Sequence, residues 1–229
     1  MRQFAVIGLG RFGFSVAKTL CKKGAKVLAI DIDENKVQDI AEFVEHAVSI
    51  DATDEKALKS VGINNAEVVI VSIRDLEPSI LVTLALKEMG IKDIIAKAVS
   101  ESHGKVLEKV GATKVVFPER DMGVRLANIL ISPFVIDHID LSHDSSIVEI
   151  IPPPDFVGKT LKDINVRTQY GINIIAIKKR SALKKKTELQ NVDELINVAP
   201  KADDIIKQDD ILVVFGKNEE IEKIKQKNG

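Results

Sequence analysis

Short apolar runs alternate with amphipathic stretches over the first half of the chain, and that rhythm predicts its architecture. Runs near residues 3–7, 26–30, 46–50, 67–72, 93–97 and 114–117 are brief and mostly apolar, the pattern of parallel strands buried on both faces. Between them, residues 12–23, 34–43, 55–61, 78–89 and 102–110 carry apolar positions at helical spacing. Several of these segments close on a glycine (Gly24, Gly62, Gly90, Gly111), as helix C-termini often do. Six strand–helix units of this size predict a Rossmann-like, doubly wound parallel sheet with strand order 3-2-1-4-5-6.

Pro118 opens a further helical segment whose apolar positions (Met122, Val124, Leu126, Ala127, Ile129, Leu130, Ile131) cover most of its circumference. A helix of that kind is buried on more than one side, and one sheet surface covers only one, so a second subunit is the expected cover for the rest. The pattern changes from about Phe134. Residues 145–151, 172–177 and 211–215 read as strands. Thr160 caps a short helix over 160–164, Pro152-Pro153-Pro154 breaks the chain, and a charged helix over 219–226 closes it. The basic run 178–186 reads as a solvated loop or hairpin. The expected organisation is therefore a nucleotide-binding domain over 1–118, a crossover helix and linker over 119–134, and a small α+β lobe over 135–229.

The sharpest chemical signal lies where the first apolar run ends, in Gly8-Leu9-Gly10-Arg11-Phe12-Gly13. G-x-G-x-x-G after a strand and before a helix is a phosphate-binding turn. Gly8 allows the tight bend, Gly10 lets backbone N–H groups approach phosphate, and Gly13 lets helix and strand pack closely. The helix N-terminus adds partial positive charge. The next strand ends on Asp31, which can accept hydrogen bonds from ribose hydroxyls and disfavours a 2′-phosphate, and with it NADP. Arg11, inside the motif, can pair with phosphate bidentately.

Composition narrows the remaining classes. The formal net charge of −1, with no Trp and a single Tyr, argues against nucleic acid as partner. One cysteine, Cys21, excludes an internal disulfide and fits a reducing compartment. No apolar run reaches the roughly 18–20 residues that cross a bilayer. The first strand begins near residue 3, leaving no room for a signal peptide, so a cytoplasmic protein is expected. The histidines His46, His103, His138 and His143 are scattered without metal-ligand spacing. Ser142-His143-Asp144 reads as a polar turn, because consecutive side chains cannot form a triad. Asp31-x-Asp33-x-Asn35 lacks the glycine of a calcium loop, and Asp33 is better explained as a helix cap.

Several strings together resemble the regulatory subunits of bacterial Trk/Ktr potassium-uptake systems, built on the RCK fold, with the Ktr type most similar. They are Ala5 to Gly13, Asp51-Ala52-Thr53, Pro118-Glu119 with Asp121-Met122-Gly123, and Asn165-Val166-Arg167 with Tyr170-Gly171. The resemblance implies a soluble homo-oligomer: dimers assembled into an octameric ring at the inner face of the membrane, under a membrane potassium transporter. It implies ATP or ADP in the first lobe, with NAD or NADH the ligand in the Trk type, and cyclic di-AMP in the second. Carried over by position, Gly8, Gly10 and Gly13 form the phosphate turn, Arg11 contacts phosphates, and Asp31 binds ribose. Asp51, Ala52 and Thr53 lie beside adenine, and Lys97 ends the fifth strand near the phosphates. Glu119 helps hold a divalent or sodium cation beside the terminal phosphate, and Arg167, Asn173 and Ile174 contact cyclic di-AMP. Ile50 stands where the family often has glycine. The function expected is a nucleotide-sensing gate, not an enzyme. An NAD-dependent oxidoreductase is the alternative, opposed by a second lobe without a recognisable acid–base pair.

Overall fold

In the computed structural model, which describes residues 2–180 and 196–226, the apolar runs of the first half lie side by side. The strands are β1 (Gln3–Ile7), β2 (Lys26–Asp31), β3 (His46–Ser49), β4 (Val68–Val71), β5 (Asp93–Lys97) and β6 (Lys114–Val116). They form one parallel sheet in the order β3-β2-β1-β4-β5-β6. The helices are α1 (Arg11–Lys22), α2 (Glu34–Ala41), α3 (Glu55–Ser60), α4 (Leu76–Glu88), α5 (Glu101–Val110) and α6 (Pro118–Ile131). Both sheet faces carry a core. Ala5, Ile7, Leu58, Leu86 and Leu107 are buried on one, and Val6, Ala17, Val27 and Ile40 on the other. Successive β1 side chains enter opposite cores, which is why the strand reads as apolar without alternation.

The chain divides into two compact units, Met1–Asp121 and Met122–Gly229. The second is built on an antiparallel sheet of β7 (Val135–Asp140), β8 (Ser145–Ile150), β9 (Asn173–Lys179), β10 (Ile196–Asn197) and β11 (Asp210–Lys217), in the order β10-β9-β11-β8-β7. Short helices α7 (Leu161–Ile164) and α8 (Val166–Tyr170) and the C-terminal α9 (Asn218–Gln226) accompany it. Strict alternation in β8 sends Ser146, Val148 and Ile150 inward, where Val148 and Ile150 meet Ile164, Ile172, Val214, Ile221 and Ile224. Thr160 caps α7 in a capping box with Asp163. Asn165, the one non-glycine with positive φ among the described residues (+47°), makes the turn from α7 into α8; its short polar side chain tolerates that conformation.

The structure gives several sequence expectations a definite form. First, the change of pattern near Phe134 is a strand, β7, whose Asp137, His138 and Asp140 interrupt the apolar signal. Arg125, twelve positions earlier, holds Asp137 with a bidentate pair at 2.9 and 2.5 Å. Second, the basic run, expected as a loop or hairpin, begins in a strand that pairs antiparallel with β10. Lys178 and Lys179 belong to β9 and pair with Glu149 and Asp210, while residues 181–186 lie outside the described residues. Third, no residue of α6 is buried in the single chain: Met122, Val124, Leu126, Leu130 and Ile131 are all at least half exposed. Helix α4 also starts earlier than expected, at Leu76. Pro78 is its third residue, where the missing N–H has no intrahelical partner to lose.

Candidate nucleotide site

The sheet order reverses between β1 and β4, and open α/β sheets bind ligands at such a switch point, beyond the carboxyl ends of the strands. A cleft of about 560 Å³ lies there. Gly8 forms its floor with φ +93°; a Cβ on it would meet the Ser72 carbonyl carbon at 2.8 Å. Main-chain bonds clamp this end of β1 on both sides, Gly8 N–H to the Ile30 carbonyl (2.8 Å) and Ser72 N–H to the Ile7 carbonyl (2.7 Å). A Cβ on Gly13 would lie 1.9 Å from the Gly8 carbonyl oxygen, so the helix rests directly on the turn. Gly10 differs: its Cβ would find nothing within 4 Å. It is the N-cap of α1 and no side chain caps it, so the first-turn amides of Arg11, Phe12 and Gly13 have no capping partner. This is a ready anion site whose open side coincides with the cleft.

Asp31 is buried at the end of β2, 7% exposed. Its carboxylate accepts from Leu9 N–H (2.6 Å) and Asp33 N–H (2.9 Å), tying the glycine turn to the start of α2, and Lys36 Nζ stands 3.4 Å away. Two oxygens offer about four acceptor directions, so these bonds leave capacity for a ribose. Asp33 caps α2 through Asn35 N–H, as its sequence position predicts. After β3, Asp51 folds an Asx turn, accepting from the Thr53 hydroxyl (2.7 Å) and amide (2.9 Å). The hydroxyl, more than the amide, holds the Asp51 carboxyl below the usual carboxylate range. Asp54, not Asp51, caps α3.

Of the residues expected from sequence, Gly8, Gly10, Asp31, Asp51, Ala52 and Thr53 line this one cleft. Gly13 packs behind it, and Arg11 is exposed at the first position of α1 without a hydrogen bond or ion pair among the described residues. Lys97 and Glu119 are absent from the lining. They form their own pair at 2.5 Å, with Lys97 buried at the end of β5 and Glu119 in the first turn of α6. That bond, helped by the charge of Arg74, holds the Glu119 carboxyl down. Sequence reading missed Lys36, Ser72 and Arg74, which also line the cleft. Strand order alone could have found the last two, since β4 is the neighbour of β1 across the switch point. Ser72 Oγ is buried with no hydrogen-bond partner among the described residues. In the second unit, Arg167 is exposed on α8, Asn173 and Ile174 begin β9, and Ile174 packs against the inner core. No group of three or more His, Cys, Asp or Glu among the described residues could hold a metal ion, and no helix there is long and apolar enough to cross a membrane.

Comparison with known proteins agrees with this architecture. Residues 4–118 match the TrkA-N domain and 146–229 the TrkA-C domain. The chain is 49% identical over 179 residues to Ktr system potassium uptake protein C of Bacillus subtilis strain 168, covering 78% of this chain and 81% of that relative. Among solved structures, the GsuK RCK domain is similar with a TM-score of 0.53 at 26% identity, over 99% of this chain and 46% of that one. A GsuK channel bound to NAD gives 0.53 at 25% identity, over 100% of this chain and 38% of that one; this chain thus spans less than half of either solved chain. With a parallel nucleotide-type sheet, an antiparallel second lobe and this degree of identity, the chain belongs to the family of Ktr-type potassium uptake proteins, with a TrkA-N and a TrkA-C domain.

Proposed function

We propose that this protein is the cytoplasmic, nucleotide-sensing regulatory subunit of a membrane potassium transporter, and that it gates rather than catalyses. The observation that carries the reading is the cleft at the β1/β4 switch point, where an uncapped helix N-terminus, an open glycine and a buried acidic strand end converge. An adenine nucleotide fits that donor set. Asp31 would hold the ribose, the first-turn amides of α1 the phosphates, and the Asp51–Thr53 turn the base. Ser72 Oγ adds a buried hydroxyl in want of a partner. ATP and ADP are the ligands we favour; the NAD-bound GsuK channel keeps NAD and NADH as competitors.

In this reading subunits pair and build an octameric ring, and Arg11, exposed at the head of α1, meets phosphate charge there. Glu119, kept ionised by Lys97, would help hold a divalent or sodium cation beside the terminal phosphate. ATP and ADP then favour different ring shapes through unequal affinity for the two states, and coupling of about 1–3 kcal/mol changes opening several-fold to a hundredfold. Cyclic di-AMP, bound by Arg167, Asn173 and Ile174, would oppose opening. The decisive experiment measures potassium flux through reconstituted transporter carrying this subunit. Higher flux with ATP than with ADP is expected, and equal flux with ATP, ADP and no nucleotide overturns the reading.

A further inference from the structure

Two cations line the cleft, Lys36 and Arg74, and their situations differ. Lys36 Nζ is already engaged by Asp31 (3.4 Å) and Asp33 (3.8 Å). Arg74, exposed just past the end of β4, makes no hydrogen bond or ion pair among the described residues. An unpaired guanidinium is a fork of donors matched to phosphate oxygens.

Its place along the cleft gives it a specific task. Asp31 ends β2, the glycine turn follows β1, and Ser72 and Arg74 follow β4, with these three strands adjacent in the sheet. Neighbouring strands stand ~4.8 Å apart, so the path from Asp31 across the glycine turn to the end of β4 spans about 10 Å. That suits a ribose at one end and a chain of phosphates running to the other. Asp51, Ala52 and Thr53, beyond β3, leave the base on the opposite side of Asp31 from Arg74. The Arg74 charge is felt by Glu119, which lies toward the β5–β6 side, away from the base. Ser72 Oγ, buried and unpartnered two residues before Arg74, adds a hydroxyl on the same strand end.

We infer that Arg74 reads the outer phosphates of the bound nucleotide and thereby makes the cleft select adenosine triphosphate over the monophosphate and over dinucleotides. The inference rests on the nucleotide-sensing reading above. A dinucleotide's pyrophosphate is internal and carries fewer charges than a triphosphate tail, so it gains less from a guanidinium at the far end. A phosphate that takes up Arg74 also alters the field at Glu119 in the first turn of α6, which links occupancy of the cleft to that helix.

The test is calorimetric titration of the full chain and its Arg74→Ala and Arg74→Lys variants with AMP, ADP, ATP and NAD. The alanine variant is expected to lose about 10- to 100-fold in ATP affinity and under threefold in AMP affinity. NAD should change less than ATP, and lysine, which keeps charge without the fork, should recover part of the loss. Matching losses for ATP and AMP, or unchanged ATP binding in the alanine variant, would overturn the role of Arg74 and leave the nucleotide reading intact. No binding of any adenylate by the unaltered chain would overturn the nucleotide reading itself, and this inference with it.

Discussion

A single methyl group separates the duties of the loop glycines. On Gly13 it would sit 1.9 Å from a main-chain oxygen, and a backbone cannot yield as a side chain can. Gly13→Ala should therefore cost at least the ~1–3 kcal/mol of an overpacked core, read as a lowered urea midpoint. On Gly10 the same methyl meets open space within 4 Å, so Gly10→Ala should keep the fold, at about 0.5–1 kcal/mol for a poorer cap. It should nonetheless weaken nucleotide binding tenfold or more by calorimetry, because the methyl occupies the phosphate's approach. Asp31 holds two main-chain donors while nine-tenths buried. Asp31→Asn turns an amide NH₂ toward one of them, and a loss of about 1–3 kcal/mol without ligand should appear in the same urea experiment.

At the scale of elements, α4 and α5 are joined by a buried polar contact. Ser79 Oγ donates to the Leu76 carbonyl (2.8 Å) and so accepts from His103 Nε2–H (2.9 Å); His103 Nδ1 accepts from Val99 N–H (3.4 Å). This network assigns a neutral ring that is 1% exposed, and burial lowers its pKa below 6.5. The unfolded chain then takes up the proton first. The stability that neutral His103 supports is complete above pH 6.5 and is lost as pH falls through the lowered folded value. Melting of the first unit should therefore drop across that window, and His103→Gln should flatten the drop relative to the unaltered chain. Elements whose burial is two-sided or strictly alternating, such as β1 and β8, were legible in sequence because one periodicity sufficed. β7 was not, because Asp137 becomes tolerable in a strand only when Arg125 is brought beside it.

For the whole molecule, the exposed apolar side chains of α6 are the feature a single chain leaves unexplained. Leu126 is 53% exposed and Leu130 73%. If subunits pair through this helix, Leu126→Glu combined with Leu130→Glu should break the assembly into smaller species, seen as a lowered mass by light scattering. An unchanged mass would remove α6 from the interface. The double variant should leave the urea midpoint of the first unit nearly unchanged, since neither side chain contributes to its core.

The sequence alone determined the strand–helix rhythm, the sheet order it entails, and the phosphate turn with its acidic partner. Each depends on neighbours close along the chain: periodicity selects strand or helix, and a right-handed crossover leaves few topologies. Only tertiary structure decided that Lys97 is committed to Glu119, that Asp51 folds a turn while Asp54 caps the helix, and that Ser72 and Arg74 share a cleft with Gly10. Those facts join residues from separate strand ends. Their meeting is set by which strands lie adjacent and which side chains find a partner first, and no local pattern encodes that.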